Sequence, residues 1–147
     1  AEYLGQLSTA IKVQVSQTMP GIFTVNSKGY GQGSLINSDG TPNSADSPAA
    51  KGSVVSIYAT GAGLLNTTVG DGALAANSAI TSALQPTVTI GGIQAKVEYS
   101  GGSPGNIFGL WQINVRVPAN APSGSEVPVM LTIGGASSKT GVTMCIQ

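Results

Sequence analysis

The side chains that could carry out chemistry are few and scattered. Histidine is absent, and Cys145 is the one cysteine in 147 residues. A serine or cysteine nucleophile needs a base within hydrogen-bond reach, so Ser-His-Asp and Cys-His arrangements are excluded. Zinc lacks its usual nitrogen and sulfur ligands for the same reason. We therefore predict a protein that is not an enzyme and that holds no cofactor.

Paired carboxylates, which cleave glycosidic bonds in many hydrolases, are the remaining catalytic option. Glu98 and Glu126 lie on or beside predicted strands, whereas the aspartates all occupy predicted turns. Isolated acids of this kind are usually solvated surface groups. We interpret both glutamates in this way.

Oxygen-bearing side chains recur at short intervals between Asn37 and Asp46, a spacing that can wrap Ca²⁺. The residues concerned are Asn37, Asp39, Thr41, Asn43 and Asp46. The stretch has neither the bidentate Glu nor the charge density of an EF-hand loop. Asx-turns that merely shape the loop are the favoured interpretation, and calcium binding stays open as the alternative.

Carbohydrate binding would require exposed aromatic side chains. Trp111 shares the apolar face of its strand with Ile113 and Val115, so we expect it in the core. Tyr3 and Tyr30 lie in terminal or polar context and are expected to be exposed. Two further positions carry modification chemistry. Cys145 lies in a predicted final strand and is expected to be buried, with pairing between chains as the alternative, and Asn66 begins an Asn-Thr-Thr glycosylation sequon.

The charge content excludes several classes of partner. Lys plus Arg and Asp plus Glu number six each, so charged residues make up 8% of the chain, against about 25% in average proteins. Nucleic acids require clustered basic side chains, as does docking on anionic membranes. No apolar run approaches the roughly 20 residues of a membrane-spanning helix. We predict no nucleic-acid partner, no membrane insertion, and a neutral Ser/Thr/Asn/Gln/Gly surface that favours association.

Strand and turn signals dominate the chain from residue 19 onward. Thr-Ile-Gly-Gly occurs at Thr89–Gly92 and at Thr132–Gly135, each time between β-type segments. A Gly-Gly pair suits a type I′ hairpin, in which both central residues have positive φ. Eight or nine short strands separated by turn residues predict an all-β, immunoglobulin-like antiparallel sandwich. Little helix is expected, apart from a turn or two in the Ala-rich second half of residues 61–85.

The first 18 residues form a separate unit in this interpretation. Apolar and polar side chains alternate there, which predicts a long strand with one apolar face; that face consists of Leu7, Thr9, Ile11, Val13 and Val15. We therefore divide the chain into an N-terminal amphipathic strand, residues 1–18, and a sandwich domain, residues 19–147. The strand has two alternatives: it folds back onto its own sandwich, or it inserts into a neighbouring subunit.

Several long motifs resemble one known family, and they run in order over about 125 of the 147 residues. They include PGIFTVNSKGYGQGSLINSDGTPNSADSPAAKG, VVSIYATGAG, VTIGGIQAKVEYSG, PGNIFGLWQINVRVP and PVMLTIGGASSKTGVTM. The chain is similar to the Solibacter-type C-terminal domain, a β-rich module of exported proteins in acidobacteria and their relatives. The resemblance implies export and an immunoglobulin-like sandwich. It brings no established activity and no catalytic residues.

These observations predict an extracellular structural subunit that associates with copies of itself, as a pilus-like filament joined by N-terminal strand exchange. The alternative is a module that attaches a secreted protein to polysaccharide or to the cell surface. Because the sequence begins with Ala rather than Met, export through a cleaved signal peptide is expected, although a trimmed chain would look the same.

Overall fold

A computed structural model describes residues 1–76 and 80–147. Within these ranges it contains twelve strands and no helix. The strands are β1 (Glu2–Tyr3), β2 (Gln6–Leu7), β3 (Gly21–Ile22), β4 (Gly31–Gln32), β5 (Leu35–Ile36), β6 (Val54–Thr60), β7 (Pro86–Ile90), β8 (Ile93–Gly102), β9 (Trp111–Arg116), β10 (Gly124–Ile133), β11 (Ala136–Ser137) and β12 (Val142–Ile146). The predicted all-β class is confirmed.

Both Gly-Gly pairs form the predicted two-residue hairpins. The first joins β7 to β8, with Ile90 opposite Ile93 and φ values of 60° and 78° at Gly91 and Gly92. The second joins β10 to β11, where Gly134 and Gly135 have φ values of 57° and 85°. These are left-handed backbone conformations that residues with a Cβ rarely adopt. The repeated sequence motif therefore specifies repeated local geometry.

Strand pairing follows a continuous path in the order β3-β6-β9-β8-β7-β10-β12-β4. The long strands β8 and β10 each pair with more than one strand on different parts of their length: β8 pairs with β7 and β9, and β10 pairs with β7, β11 and β12. Residues 93–95 of β8 pair with β7 and residues 96–102 pair with β9, with a bulge between Val97 and Tyr99. At the far end of the path, β4 pairs with β12 while β5, three residues further along the chain, pairs with β6. One short segment thus links both ends of the path and curls the sheet around a single core.

The core is built from the inward-facing side chains of these strands. In β9 the alternation is complete, because Trp111, Ile113 and Val115 are at most 2% exposed while the intervening side chains face outward. Trp111 donates its indole N–H to Ser100 Oγ at 2.9 Å, which satisfies the one polar atom of a buried ring. The expectation that Trp111 belongs to the core is confirmed.

The residue 37–52 loop contributes a buried polar contact that extends the sheet. Asn43, which is 2% exposed, donates from Nδ2 to the carbonyl of Cys145 and accepts at Oδ1 from its N–H, both at 2.8 Å. A side-chain amide thus occupies the place of a neighbouring strand's backbone beside β12. Asn43 also donates from Nδ2 to Asn37 Oδ1 and accepts at Oδ1 from Gln32 Nε2.

Two regions differ from the sequence-based expectations. The described part of residues 61–85 contains no helical turn. An isolated bridge joins Leu65 to Ser82 within this region, and another joins Leu74 to Ile107, just before β9. Residues 77–79 of this Ala-rich stretch lie outside the described ranges. One strand pair, β4 with β12, is parallel rather than antiparallel, because the segment that carries β4 crosses between the two ends of the sheet.

Candidate functional site: the exposed N-terminal segment

The N-terminal residues do not form the predicted long strand. A small hairpin pairs Glu2 with Leu7 and Tyr3 with Gln6, so Leu7 is the only member of the predicted apolar face that lies in a strand. Among the described residues, positions 9–17 make no backbone–backbone hydrogen bond. The prediction of a long strand is wrong for the isolated chain. Alternation of apolar and polar residues shows that a segment is suited to a sheet, but it does not show that a partner strand is available.

The apolar side chains of this segment face solvent. Leu7, Ile11, Val13 and Val15 are 79–94% exposed, and Thr9 between them is exposed as well. We refer to residues 7–16 as the N-terminal segment. Folding back onto its own sheet, the first of the two alternatives, is therefore excluded in this structure. Insertion into a neighbouring subunit remains a prediction.

The junction between the N-terminal segment and the body is fixed. Thr18, which is 3% exposed, donates its hydroxyl to the carbonyl of Ile133 at 2.7 Å. One residue later, Met19 N donates to the carbonyl of Gly61 at 3.0 Å. A Cβ on Gly61 would collide with the carbonyl group of Met19, so glycine permits this close backbone approach. The segment therefore leaves the body at a defined point.

The two glutamates singled out as catalytic candidates are not brought together as an acid pair. Glu98 accepts from Arg116, with a shortest distance of 2.8 Å, and also lies 3.9 Å from Lys96 Nζ. Glu126 lies exposed on β10. Across residues 1–76 and 80–147, no group of three or more His, Cys, Asp or Glu side chains is placed to hold a metal ion.

The oxygen ligands of the Asn37–Asp46 loop point in different directions. Asp39 accepts from the backbone N–H and hydroxyl of Thr41, and these hydrogen bonds hold the pKa of Asp39 below its ordinary value. This is the local geometry of an Asx-turn. Asn37 and Asn43 turn inward to bond with each other and with the backbone. The geometry thus favours the turn-forming interpretation of the loop over calcium coordination.

The two modification candidates have opposite environments. Cys145 is 4% exposed, as expected, and its thiol lies 3.3 Å from the carbonyl of Ser125. Burial raises the pKa of the Cys145 thiol, which disfavours the reactive thiolate. Asn66 is exposed, and it exchanges hydrogen bonds with Thr81 through both its backbone and its side chain.

A further surface feature was not singled out from the sequence. Tyr58 and Phe23 line an open cavity of about 510 Å³ on the outer side of the sheet. The alternation in β9 already placed Gln112 and Asn114 on the outward face. The missing information was the strand register, which brings Tyr58 opposite Gln112.

Comparisons with known proteins give no relative: no family model, no curated protein and no solved structure matches the chain. In the part of the chain that the structure describes, no helix has the length and apolar character needed to cross a membrane.

Proposed function

We propose that the protein is an extracellular structural subunit that associates with copies of itself by donating its N-terminal segment to a neighbour. The observation that carries this proposal is the exposure of 79–94% at Leu7, Ile11, Val13 and Val15, in a segment that makes no backbone–backbone hydrogen bond from position 9 onward. Export and the immunoglobulin-like character rest on the resemblance to the Solibacter-type domain. Attachment to polysaccharide is the alternative function, and it would use different residues.

Strand donation would bury apolar side chains that the isolated chain leaves exposed. Burying an aliphatic side chain of this size contributes roughly 1.5–3 kcal/mol, so four contribute roughly 6–12 kcal/mol, against roughly 10–20 kcal/mol for ordering a ten-residue segment. Further contacts with the neighbour must supply the difference. Main-chain hydrogen bonds to a neighbouring strand would add register and direction. Apolar side chains at every second position lie on one face of an extended strand, so a neighbouring sheet can cover all of them at once.

The geometry of donation also determines the kind of assembly. A segment that leaves one surface and inserts into a different surface of the next copy makes a head-to-tail contact. Such contacts propagate into a filament unless the rotation between copies closes a ring. With six charges of each sign, the chain has no net charge to oppose the stacking of identical copies.

The test compares two double variants that add the same charge to opposite faces of the N-terminal segment. Ile11→Asp with Val13→Asp places both carboxylates on the apolar stripe, whereas Ala10→Asp with Gln14→Asp places them on the alternate face. We expect the first pair to abolish concentration-dependent assembly, measured by light scattering and electron microscopy, and the second to retain it. Equal behaviour of the two pairs, or a wild-type monomer at every concentration, contradicts the proposal.

Hydrogen exchange supplies a second measurement on the wild-type chain. In dilute protein the amides of residues 9–17 should exchange at the rates of an unfolded peptide, because none has a backbone partner. On assembly, alternate amides of this segment should become protected. Assembly without any protection there would show that copies associate through another surface.

A further inference from the structure

The outer face of the sheet formed by β6, β9 and β8 carries a chain of uncharged hydrogen-bonding side chains. Ser56 Oγ and Gln112 Nε2 both donate to Asn114 Oδ1 at 2.9 Å. Ser103 Oγ donates to Gln112 Oε1 at 3.5 Å, and Asn106 Nδ2 donates to Ser103 Oγ at 3.2 Å. These bonds fix the orientation of each amide. We call Ser56, Ser103, Asn106, Gln112 and Asn114 the amide ladder.

The amide ladder retains unused hydrogen-bonding capacity. Asn114 Oδ1 receives two donors, and among residues 1–76 and 80–147 its Nδ2 has no hydrogen-bond partner. No side-chain nitrogen or oxygen in these ranges is both buried and without a hydrogen bond, so this amide group is accessible to solvent. A fixed amide with free N–H donors is suited to binding a hydroxyl group of a ligand.

Aromatic rings flank the amide ladder. Phe23 and Tyr58 line the 510 Å³ cavity together with Ser34, Ser103, Asn106 and Leu110. Tyr99 lies opposite Asn114, and its ring occupies the space that a Cβ on Gly101 would fill. The bulge in β8 produces this placement, because it shifts the register so that Tyr99 faces Asn114. Apolar ring faces thus lie beside amide donors on one side of the sheet.

Charge is segregated from this cavity. None of its six lining residues is Asp, Glu, Lys or Arg. The charged residues of these strands lie together at the opposite end, where Glu98 pairs with Arg116 and Lys96 faces Arg116 across the strands. An ionic ligand would lose hydrating water without gaining a counter-charge in the cavity. A neutral ligand does not incur that cost.

The surface is a sheet face rather than a sheet edge. β9 pairs with β6 on one side and β8 on the other, and β6 also pairs with β3 and β5. β9, at the centre of this face, has a strand on each side and therefore no free backbone edge, so the N-terminal segment of another copy cannot pair beside β9. Recognition must come from side chains, which here are aromatic rings and amides.

We propose that this face binds a neutral polysaccharide chain. Sugar rings would stack on Phe23 and Tyr58, their apolar C–H faces against the aromatic faces, while Asn114 Nδ2 donates to a sugar hydroxyl. The cavity is open to solvent, so it accommodates the interior of a chain as well as its end. The proposal does not depend on self-association, because it uses different residues.

The experiment titrates the full-length chain with cellohexaose and mannohexaose, and with hexagalacturonate as the acidic control. Side-chain NH₂ signals of Gln112 and Asn114 are followed by NMR. We expect one of the neutral hexasaccharides to shift these signals and hexagalacturonate to leave them unchanged. Tyr58→Ala should weaken binding about tenfold, the loss typical of removing an aromatic contact. Tyr30→Ala is the matched control, since Tyr30 is 49% exposed but does not line the cavity.

Four results would overturn the proposal. They are shifts with neither neutral sugar, equal shifts with hexagalacturonate, equal losses for Tyr58→Ala and Tyr30→Ala, or shifts produced instead by a peptide of residues 7–16. Because Tyr58→Ala removes a large side chain from a central strand, Asn114→Asp serves as a second variant that keeps the shape and removes the free donor. Dispersed backbone spectra of both variants establish that the fold is intact.

Discussion

Two segments of this chain carry the same pattern of apolar and polar residues and have opposite environments. In β9, Trp111, Ile113 and Val115 alternate with polar residues and are at most 2% exposed. In the N-terminal segment, Ile11, Val13 and Val15 alternate in the same way and are at least 79% exposed. Periodicity of two therefore identifies a segment suited to a sheet, but the availability of neighbours decides whether it joins one.

The neighbours of β9 come from distant parts of the sequence. β9 pairs along its whole length with β6 on one side and β8 on the other. The N-terminal segment meets no such pair, because the strand path is already occupied from β3 to β4, and the β4–β5 segment links its two ends. The N-terminal segment is therefore left without strand partners in its own chain.

The largest expected effect comes from making the same substitution in both segments. Ile113→Ala should lower the free energy of unfolding by about 2–5 kcal/mol, because it removes buried methyl groups and leaves a cavity. Ile11→Ala should change it by less than about 0.5 kcal/mol, the usual range at exposed positions. Urea denaturation of the dilute monomer measures both. A substantial loss for Ile11→Ala would show that the segment packs on its own body.

A smaller effect is expected at the junction between the two regions. Gly61 and Gly72 have φ values of 76° and 73°, so alanine at either position costs about 1–2 kcal/mol of backbone strain. At Gly61 the new Cβ would also collide with Met19, whereas at Gly72 it meets nothing within 4 Å. Gly61→Ala should therefore cost about 1–3 kcal/mol more than Gly72→Ala, as overpacking does.

Thermal denaturation of the two glycine variants shows whether the contact between Met19 and Gly61 stabilises the folded body. Equal melting temperatures would mean that the contact between Met19 and Gly61 contributes nothing to the folded body. A larger loss for Gly61→Ala would place the boundary between the core and the N-terminal segment at Thr18 and Met19.

The smallest expected effect is a pH dependence from β12. Burial raises the pKa of Cys145 above its ordinary value of 9.0, so the folded chain keeps the proton that the unfolded chain releases. The contribution of the protonated thiol to the free energy of unfolding is complete below the ordinary pKa. It is lost as the pH rises from the ordinary pKa towards the higher pKa of the folded chain. Between about pH 8 and pH 10 the wild type should lose more stability than Cys145→Ala. Parallel losses in the two proteins would contradict the assignment.

Local signals in the sequence predicted local structure well. The Gly-Gly pairs specified the hairpins at residues 91–92 and 134–135, and alternation in residues 110–117 specified the buried face of β9. These features depend on residues close together in the chain, where sterics and burial leave few options.

Features that depend on distant partners were not predictable in this way. The parallel pairing of β4 with β12 joins residues more than one hundred positions apart. The contact of Asn43 with the backbone of Cys145 and the position of Tyr99 beside Asn114 both require the strand register, and the latter requires the bulge as well. The amide ladder is a product of that register, so its residues could be named from the sequence only as outward-facing polar positions.

The fixed anchorage at Thr18 sets a limit on how far the molecule can reach. Leu7 lies eleven residue-to-residue steps from Thr18 along the chain, and an extended chain spans at most about 3.3–3.6 Å per step. A tether of this length ends within roughly 40 Å of its anchor. Any surface that captures Leu7 and Val15 together must therefore lie inside that radius, which limits how far apart successive copies could lie in the proposed assembly.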